Sequence, residues 1–244
     1  MNLLGRYRST GADLAFGRPE KAHHGVAMEG YFWRITDPES GRVIIALCGA
    51  NMGPDGPWAT VGLGAWPNGF LRTAAVDGAW TDPIRLGVHG GSGAFEGSTH
   101  RLKVDLGADA RLDVAFHDLT PWPRQAFGGS SVFHMVPGLN QYWHPWLLGG
   151  KASGTAFLGE EVWEFRDADV YAEKNWGREG FPEAWWWGQA QSFGQPEACV
   201  AFAGGDCNGR RDANGSHGAG GAAAWRQGHP AGQPRDQPGM DGYE

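Results

Sequence analysis

Apolar and polar residues alternate most clearly between residues 100 and 117. Leu102, Val104 and Leu106 are interleaved with Arg101, Lys103 and Asp105, and Leu112, Val114 and Phe116 with Arg111, Asp113 and His117. A period of two puts one set on a buried face and the other in water, which predicts an antiparallel hairpin with its turn at 107–110. Further strands are predicted at 27–36, 42–48, 58–64, 70–76, 84–88, 131–136, 155–165, 168–174, 185–193 and 197–203. Turn chemistry separates many of them: DPESG at 37–41, MGPDGP at 52–57, WPNG at 66–69, TDP at 81–83 and HGGSG at 89–93. The pattern predicts an all-β chain of antiparallel strands, closed as a barrel or stacked as a sandwich.

A Pro- and Gly-rich bridge, TPWPRQAFGGSS at 120–131, is expected to divide this β region. The predicted organisation is an N-terminal extension at 1–22, a first β unit at 23–120, a second at 121–205 and a tail at 206–244. From Asp206 to Glu244 there is no Leu, Ile, Val or Phe, so the tail cannot bury enough apolar surface to offset its ordering entropy. It is expected to be disordered, either as an ordinary extension or as an out-of-frame reading of a GC-rich gene. The second explanation is favoured because ACVAFAGG, at 198–205, stops where a hairpin partner is due.

Composition narrows the field. The 41 Gly, 15 Pro and 13 Trp fit short extended segments and tight turns rather than long helices. A formal charge of −7 supplies no basic field for nucleic acid and is repelled by anionic headgroups, which leaves a peripheral hydrophobic contact as the one expected approach to a membrane. Cys48, Cys199 and Cys207 form neither a CxxC pair nor an even set, which suits a reducing compartment. The N-terminal MNLLGRYRST has no signal-peptide run and no apolar stretch reaches the ~18 residues of a spanning helix, so the expected location is the cytoplasm, with or without peripheral membrane association.

Unusual aromatic and polar words carry a more specific signal. The segment HHGVAMEGYFWRI at 23–35, YAEKNWG at 171–177 and GFPEAWWWGQ at 180–189 occur in an order that resembles the tocopherol cyclase family, and the resemblance covers roughly residues 20–203. It implies lipocalin-like β units, two in tandem with the second incomplete because the closing strands expected after residue 205 are missing. It also implies a lipophilic small-molecule substrate, no cofactor, and an intramolecular cyclisation that turns a prenylated hydroquinone into a chromanol.

Such a reaction protonates an alkene and traps the tertiary cation with a phenol oxygen. It needs a proton donor, cation-tolerant aromatic faces and a dry cavity. Glu173 and Glu29 are the candidate acids, because a carboxyl among Trp residues is kept protonated by burial. His144 is the third candidate, with a side chain that titrates near neutrality. Strand alternation puts Tyr171, Glu173 and Asn175 on one face, and Lys174 and Trp176 on the other. Tyr171, Asn175, Gln189 and Asn140 are expected to bind substrate oxygens, and Trp143, Trp176, Trp185 and Trp187 to form aromatic walls. For each a plainer role stays open: an ion pair and hydrogen-bond network for the glutamates, a backbone contact for His144, an Asx turn for Asn140, and core filling for the Trp residues. No His or Cys spacing suggests a metal. The alternative function is a lipocalin-like isoprenoid or pigment carrier with no catalysis.

Overall fold

The structure, a computed structural model, describes residues 2–9, 28–81, 87–123, 125–136, 139, 141–177, 184–191, 193 and 198–205. The tail at 206–244, most of the 1–22 extension and Asn140 lie outside the described residues.

The described chain is β apart from a short helix α1 (Leu3–Ser9) and a 3₁₀ helix (Ser131–Met135). Its strands are β1 (Met28–Asp37), β2 (Arg42–Gly53), β3 (Gly56–Trp66), β4 (Leu71–Asp77), β5 (Ala79–Thr81), β6 (Gly87–Gly90), β7 (Phe95–Ser98), β8 (Arg101–Asp105), β9 (Ala110–Pro121), β10 (Tyr142–Leu158), β11 (Glu161–Gly177), β12 (Trp185–Ala190) and β13 (Val200–Gly205). Eleven strands form one sheet in the order β4-β3-β2-β1-β11-β10-β9-β8-β7-β6-β5, and β12 and β13 pair separately. The bridge at 120–131 thus lies between strands of the same sheet. β10 and β11 are inserted between β9 and β1, and every pairing is antiparallel.

The sheet curls until its ends face each other, so that β5 and β6 touch β2 and β3. Glycines make the closest approaches. A Cβ on Gly90 would lie 2.9 Å from the Ala59 Cβ, and one on Gly97 would lie 2.6 Å from the Trp33 ring. The result is a nearly closed barrel, the architecture the alternation pointed to. Its interior is filled by Trp33, Ile35, Ile44, Val61, Leu102 and Val114 with their neighbours. A smaller cluster of Trp122, Trp143, Leu148, Tyr171, Cys199 and Ala201 forms on the opposite face of β10 and β11, beneath β12 and β13. Among the described residues no helix is long and apolar enough to cross a membrane.

Three strand assignments are corrected. Residues 131–136, expected as a strand, contain the 3₁₀ helix, which exposes Val132 and Phe133 and buries only His134; a run of apolar side chains does not by itself distinguish the two. The predicted strand 155–165 is two strands joined at Gly159, where a positive φ of 70° turns the chain. Residues 142–154, outside every predicted strand, begin β10. From Tyr142 to Gly149 every residue is buried, because one side faces the barrel interior and the other faces β12–β13, and no alternation survives. Of the strand expected at 84–88, only residues 87 and 88 are described.

The β9–β10 contact has one point without slack. Beside a register irregularity in β10, a Cβ on Gly154 would stand 2.1 Å from the Asp113 carbonyl oxygen and 2.7 Å from the Val114 Cα, both backbone atoms. Gly154→Ala should therefore lower the urea midpoint by the equivalent of about 3 kcal/mol, the upper end of overpacking costs. An unchanged midpoint would show that β9 and β10 slide past each other freely.

Candidate functional site

The ends of β10 and β11 carry two polar clusters, one on each side of the sheet. Alternation along β11 sends Tyr171, Glu173 and Asn175 outward, under β12, and Lys174 and Trp176 inward, as the sequence pattern requires.

On the outer side Glu173 is the hub. Its Oε2 accepts from the Trp143 indole at 2.7 Å, the Tyr171 hydroxyl at 2.6 Å and the Trp187 indole at 2.7 Å. Oε1 accepts from the Asn175 amide at 3.1 Å. Three elements deliver these donors: β11 itself, the neighbouring β10, and β12 from the second sheet. Only 7% of Glu173 is exposed. Burial, and then the adjacent Glu173 charge, pushes the Tyr171 phenol well above its ordinary range, so it remains a donor. Aromatic rings complete the wall, with Trp187 edge-on to both Tyr171 (5.7 Å) and Phe32 (5.8 Å).

On the inner side Glu29 and Lys174 form an ion pair at 3.3 Å, with the Tyr31 hydroxyl donating to Glu29 at 2.5 Å. The register explains the meeting, since Tyr31 lies opposite Lys174 and Glu29 opposite Trp176. The Lys174 ammonium, fully buried, also lies 4.8 Å from the Trp176 ring centroid and 5.7 Å from that of Tyr31. Burial lowers the Lys174 amine from 10.5 to about 8, against the partial opposition of the Glu29 charge.

This shift sets a pH dependence. Between pH 8 and 10.5 the unfolded chain binds a proton at Lys174 that the folded chain has released, so stability rises with pH. Cys48, pushed by burial from 9.0 to about 12, acts in the opposite sense above pH 9. Tyr31 and Tyr171, raised above 10.0, join it higher still. Urea unfolding should therefore show stability climbing from pH 8 to 9, and the climb should be absent from a Glu29→Gln/Lys174→Met double variant. The same slope in both proteins would remove Lys174 as its source.

A third group packs against Trp176. The Tyr7 hydroxyl on α1 donates to His134 Nδ1 at 2.8 Å and accepts from the Gly128 amide at 2.8 Å. The His134 Nε2–H faces the Trp143 carbonyl at 3.1 Å, which assigns the proton to Nε2. His134 and Tyr142 stack on Trp176 at 5.0 and 5.3 Å.

The structure thus brings Glu173, Tyr171, Asn175, Trp143 and Trp187 together and places Glu29 and Trp176 across the sheet from them. His144 is buried on the inward side of β10, receives the Gly129 amide on Nδ1 at 3.4 Å and touches Trp122 and His134 edge-on. Trp185 is 53% exposed at the start of β12, and Gln189 accepts from Gln191. Asn140 is not among the described residues. Sequence reasoning missed Tyr31, Tyr7 and His134 as partners. Alternation could have put Tyr31 beside Glu29, whereas nothing local joins Tyr7 to a histidine 127 residues away. Among the described residues no group of three or more His, Cys, Asp or Glu is placed to hold a metal ion.

A family model described as tocopherol cyclase-like matches residues 78–219, more than half of the sequence. The chain belongs to the tocopherol cyclase-like family. The matched range contains every member of the Glu173 cluster that hydrogen-bonds to it and begins after Glu29 on β1. Among the family's relatives, the rice (Oryza sativa subsp. japonica) protein named probable tocopherol cyclase, chloroplastic, is 33% identical over 85 residues, which are 35% of this chain and 17% of that protein. The maize (Zea mays) tocopherol cyclase, chloroplastic, is 37% identical over 57 residues, 23% of this chain and 12% of that protein. The chain matches less than a fifth of the length of either. Kievitone hydratase from Nectria haematococca shares the fold, with a TM-score of 0.52 at 11% identity, covering 87% of this chain and 64% of that one.

Proposed function

We propose that the Glu173 cluster binds a prenylated hydroquinone, or a related lipophilic isoprenoid phenol, and closes its chromanol ring without a cofactor. The observation that carries this reading is the donor arrangement on Glu173. With Trp143, Tyr171 and Trp187 all on Oε2, a proton has its place on Oε1, beside Asn175. The three donors stabilise the carboxylate that is left when that proton departs, and they need no rearrangement to do so.

The reaction then proceeds as a proton exchange. Oε1–H protonates the trisubstituted alkene and forms a C–H bond. The tertiary cation is stabilised by the indole and phenol faces. The substrate's phenol oxygen attacks it to form the C–O bond, and the phenolic proton returns to Glu173. No atom is gained or lost. Tyr171 and Asn175 orient the quinol oxygens, and β12 with Trp187 excludes water.

Incubating the protein with a geranylated hydroquinone and following chromanol by chromatography tests the proposal. Substrate that binds without turning over would overturn it in favour of a carrier. One observation favours that second reading: each of the four groups around Glu173 presents a donor, an arrangement that also suits a purely structural hydrogen-bond hub.

A further inference from the structure

Glu173 is enclosed. Both it and Asn175, beside its Oε1, are less than a tenth exposed, so an isoprenoid phenol reaches that oxygen only after something above it has moved. The covering element is the β12–β13 hairpin, and its attachment to the barrel is slight. Among the described residues β12 and β13 form backbone hydrogen bonds as strands with each other and none with the eleven-stranded sheet. A two-stranded hairpin is only marginally stable by itself. Toward the barrel this one presents Trp187, Ala201 and Ala203. Its Trp186 and Phe202 are instead 46% and 38% exposed, laid across the glycines opposite them, Gly204 and Gly188. An element that buries so little large apolar surface belongs to the low-stability end of a structure, the part that opens first.

The chain path decides which end can lift. Residues 178–184 join β11 to Trp185, which pairs with Gly205, so that end of the hairpin is tethered. Ala190 pairs with Val200 at the other end, where Gln191 and Cys199 lie. This tip is fastened by side chains. The Gln191 amide donates to the Val170 carbonyl of β11 at 3.0 Å, and the buried Cys199 packs beside Gly149 of β10.

We propose that β12–β13 is a hinged lid over Glu173, which swings about its Trp185 end and opens at the Gln191–Cys199 tip to admit the substrate, a role that rests on Glu173 being the site of ring closure. The lid carries the Trp187 indole, one of the three donors on Oε2. The acid's full donor set therefore exists only when the lid is shut over the substrate.

Position 149 offers a lock. A Cβ there would lie 3.0 Å from the Cys199 Sγ, a separation suited to a disulfide, and the Gly149 backbone is not in the left-handed region. In Gly149→Cys, oxidised glutathione should close that bridge and pin the tip. The oxidised protein is expected to lose both uptake of a geranylated hydroquinone and chromanol formation, and dithiothreitol should restore both. Oxidation after the ligand has bound should trap it until the bridge is reduced. Uptake by the oxidised protein equal to that of the reduced one would overturn the lid, as would escape of a bound ligand from the oxidised protein. Uptake by the reduced protein alone, without chromanol, would keep the lid and remove ring closure. A second measurement needs neither variant nor substrate, and decides the case in which Gly149→Cys fails to fold or to bind. In the unsubstituted protein, iodoacetamide under native conditions should alkylate Cys199 about tenfold or more faster than Cys48, because lid opening exposes the first thiol and only unfolding of the barrel exposes the second. Equal rates at the two thiols would make hairpin and barrel a single unit and overturn the proposal.

Discussion

Glu173→Gln should lower the rate of ring closure by about 10²–10⁴-fold while the substrate's KM changes little, the loss expected for a general acid. The substitution is mild in every other respect. A glutamine oxygen can take the place of Oε2 under Trp143, Tyr171 and Trp187, and its amide can face an Asn175 that turns to offer its own oxygen. Glu173→Ala is the wrong comparison, since it leaves buried donors without an acceptor at about 1–3 kcal/mol each and confuses folding with chemistry. Chromanol formation and binding should be measured on the same Gln preparation. A Gln variant with full turnover would mean the proton comes from elsewhere, and the inward-facing His144 and Glu29 would be the next candidates.

Breaking the Glu29–Lys174 pair from one side should cost about 3–5 kcal/mol, because a buried charge then loses the opposite charge it faces across the sheet. Lys174→Met removes the cation from beside the Glu29 carboxylate, which keeps its hydrogen bond from Tyr31, and Glu29→Gln removes the carboxylate charge from beside a fully buried ammonium. Lys174 has a way to limit the second cost. Burial already lowers its amine to about 8, so the lysine can lose its proton, and Glu29→Gln is expected to be the milder single change. The double variant should regain most of the loss, since two neutral side chains of similar size need no charge compensation. Urea unfolding of all four proteins gives the coupling energy directly. Additive losses would show that the two side chains do not act as a pair.

How far these clusters were legible in the sequence depends on how many faces a strand buries. The hairpin of β8 and β9 has one wet face, and Leu102, Val104, Leu112 and Val114 declared it by alternation. At Tyr142–Gly149 and 170–177 both faces are covered, so the period of two vanishes from the hydrophobicity. For that reason most of β10 falls outside every predicted strand. The β11 partners survived because parity still held: Tyr171, Glu173 and Asn175 do share a face. Trp187 and Trp143 were named as wall residues, yet their convergence on one carboxylate oxygen depends on strands 30 and 14 residues away in sequence and could not be read from local pattern. The inward Glu29–Lys174 pairing depends on the register between β1 and β11, which are the first and last strands of the sheet's long excursion. The 3₁₀ helix at Ser131–Met135 shows the converse failure, where an apolar run without a partner strand coils and buries only His134.

A strand enclosed on both sides has a consequence for how this protein can change. Neighbouring positions 172, 173, 174 and 175 on β11 address two compartments in turn, with the backbone as the partition between them. Randomising only the odd positions would reshape the packing under β12 and leave the barrel's lining as it was; randomising only the even ones would do the reverse. One short stretch of gene therefore holds two independent dials, and a library built by parity can turn either without disturbing the other.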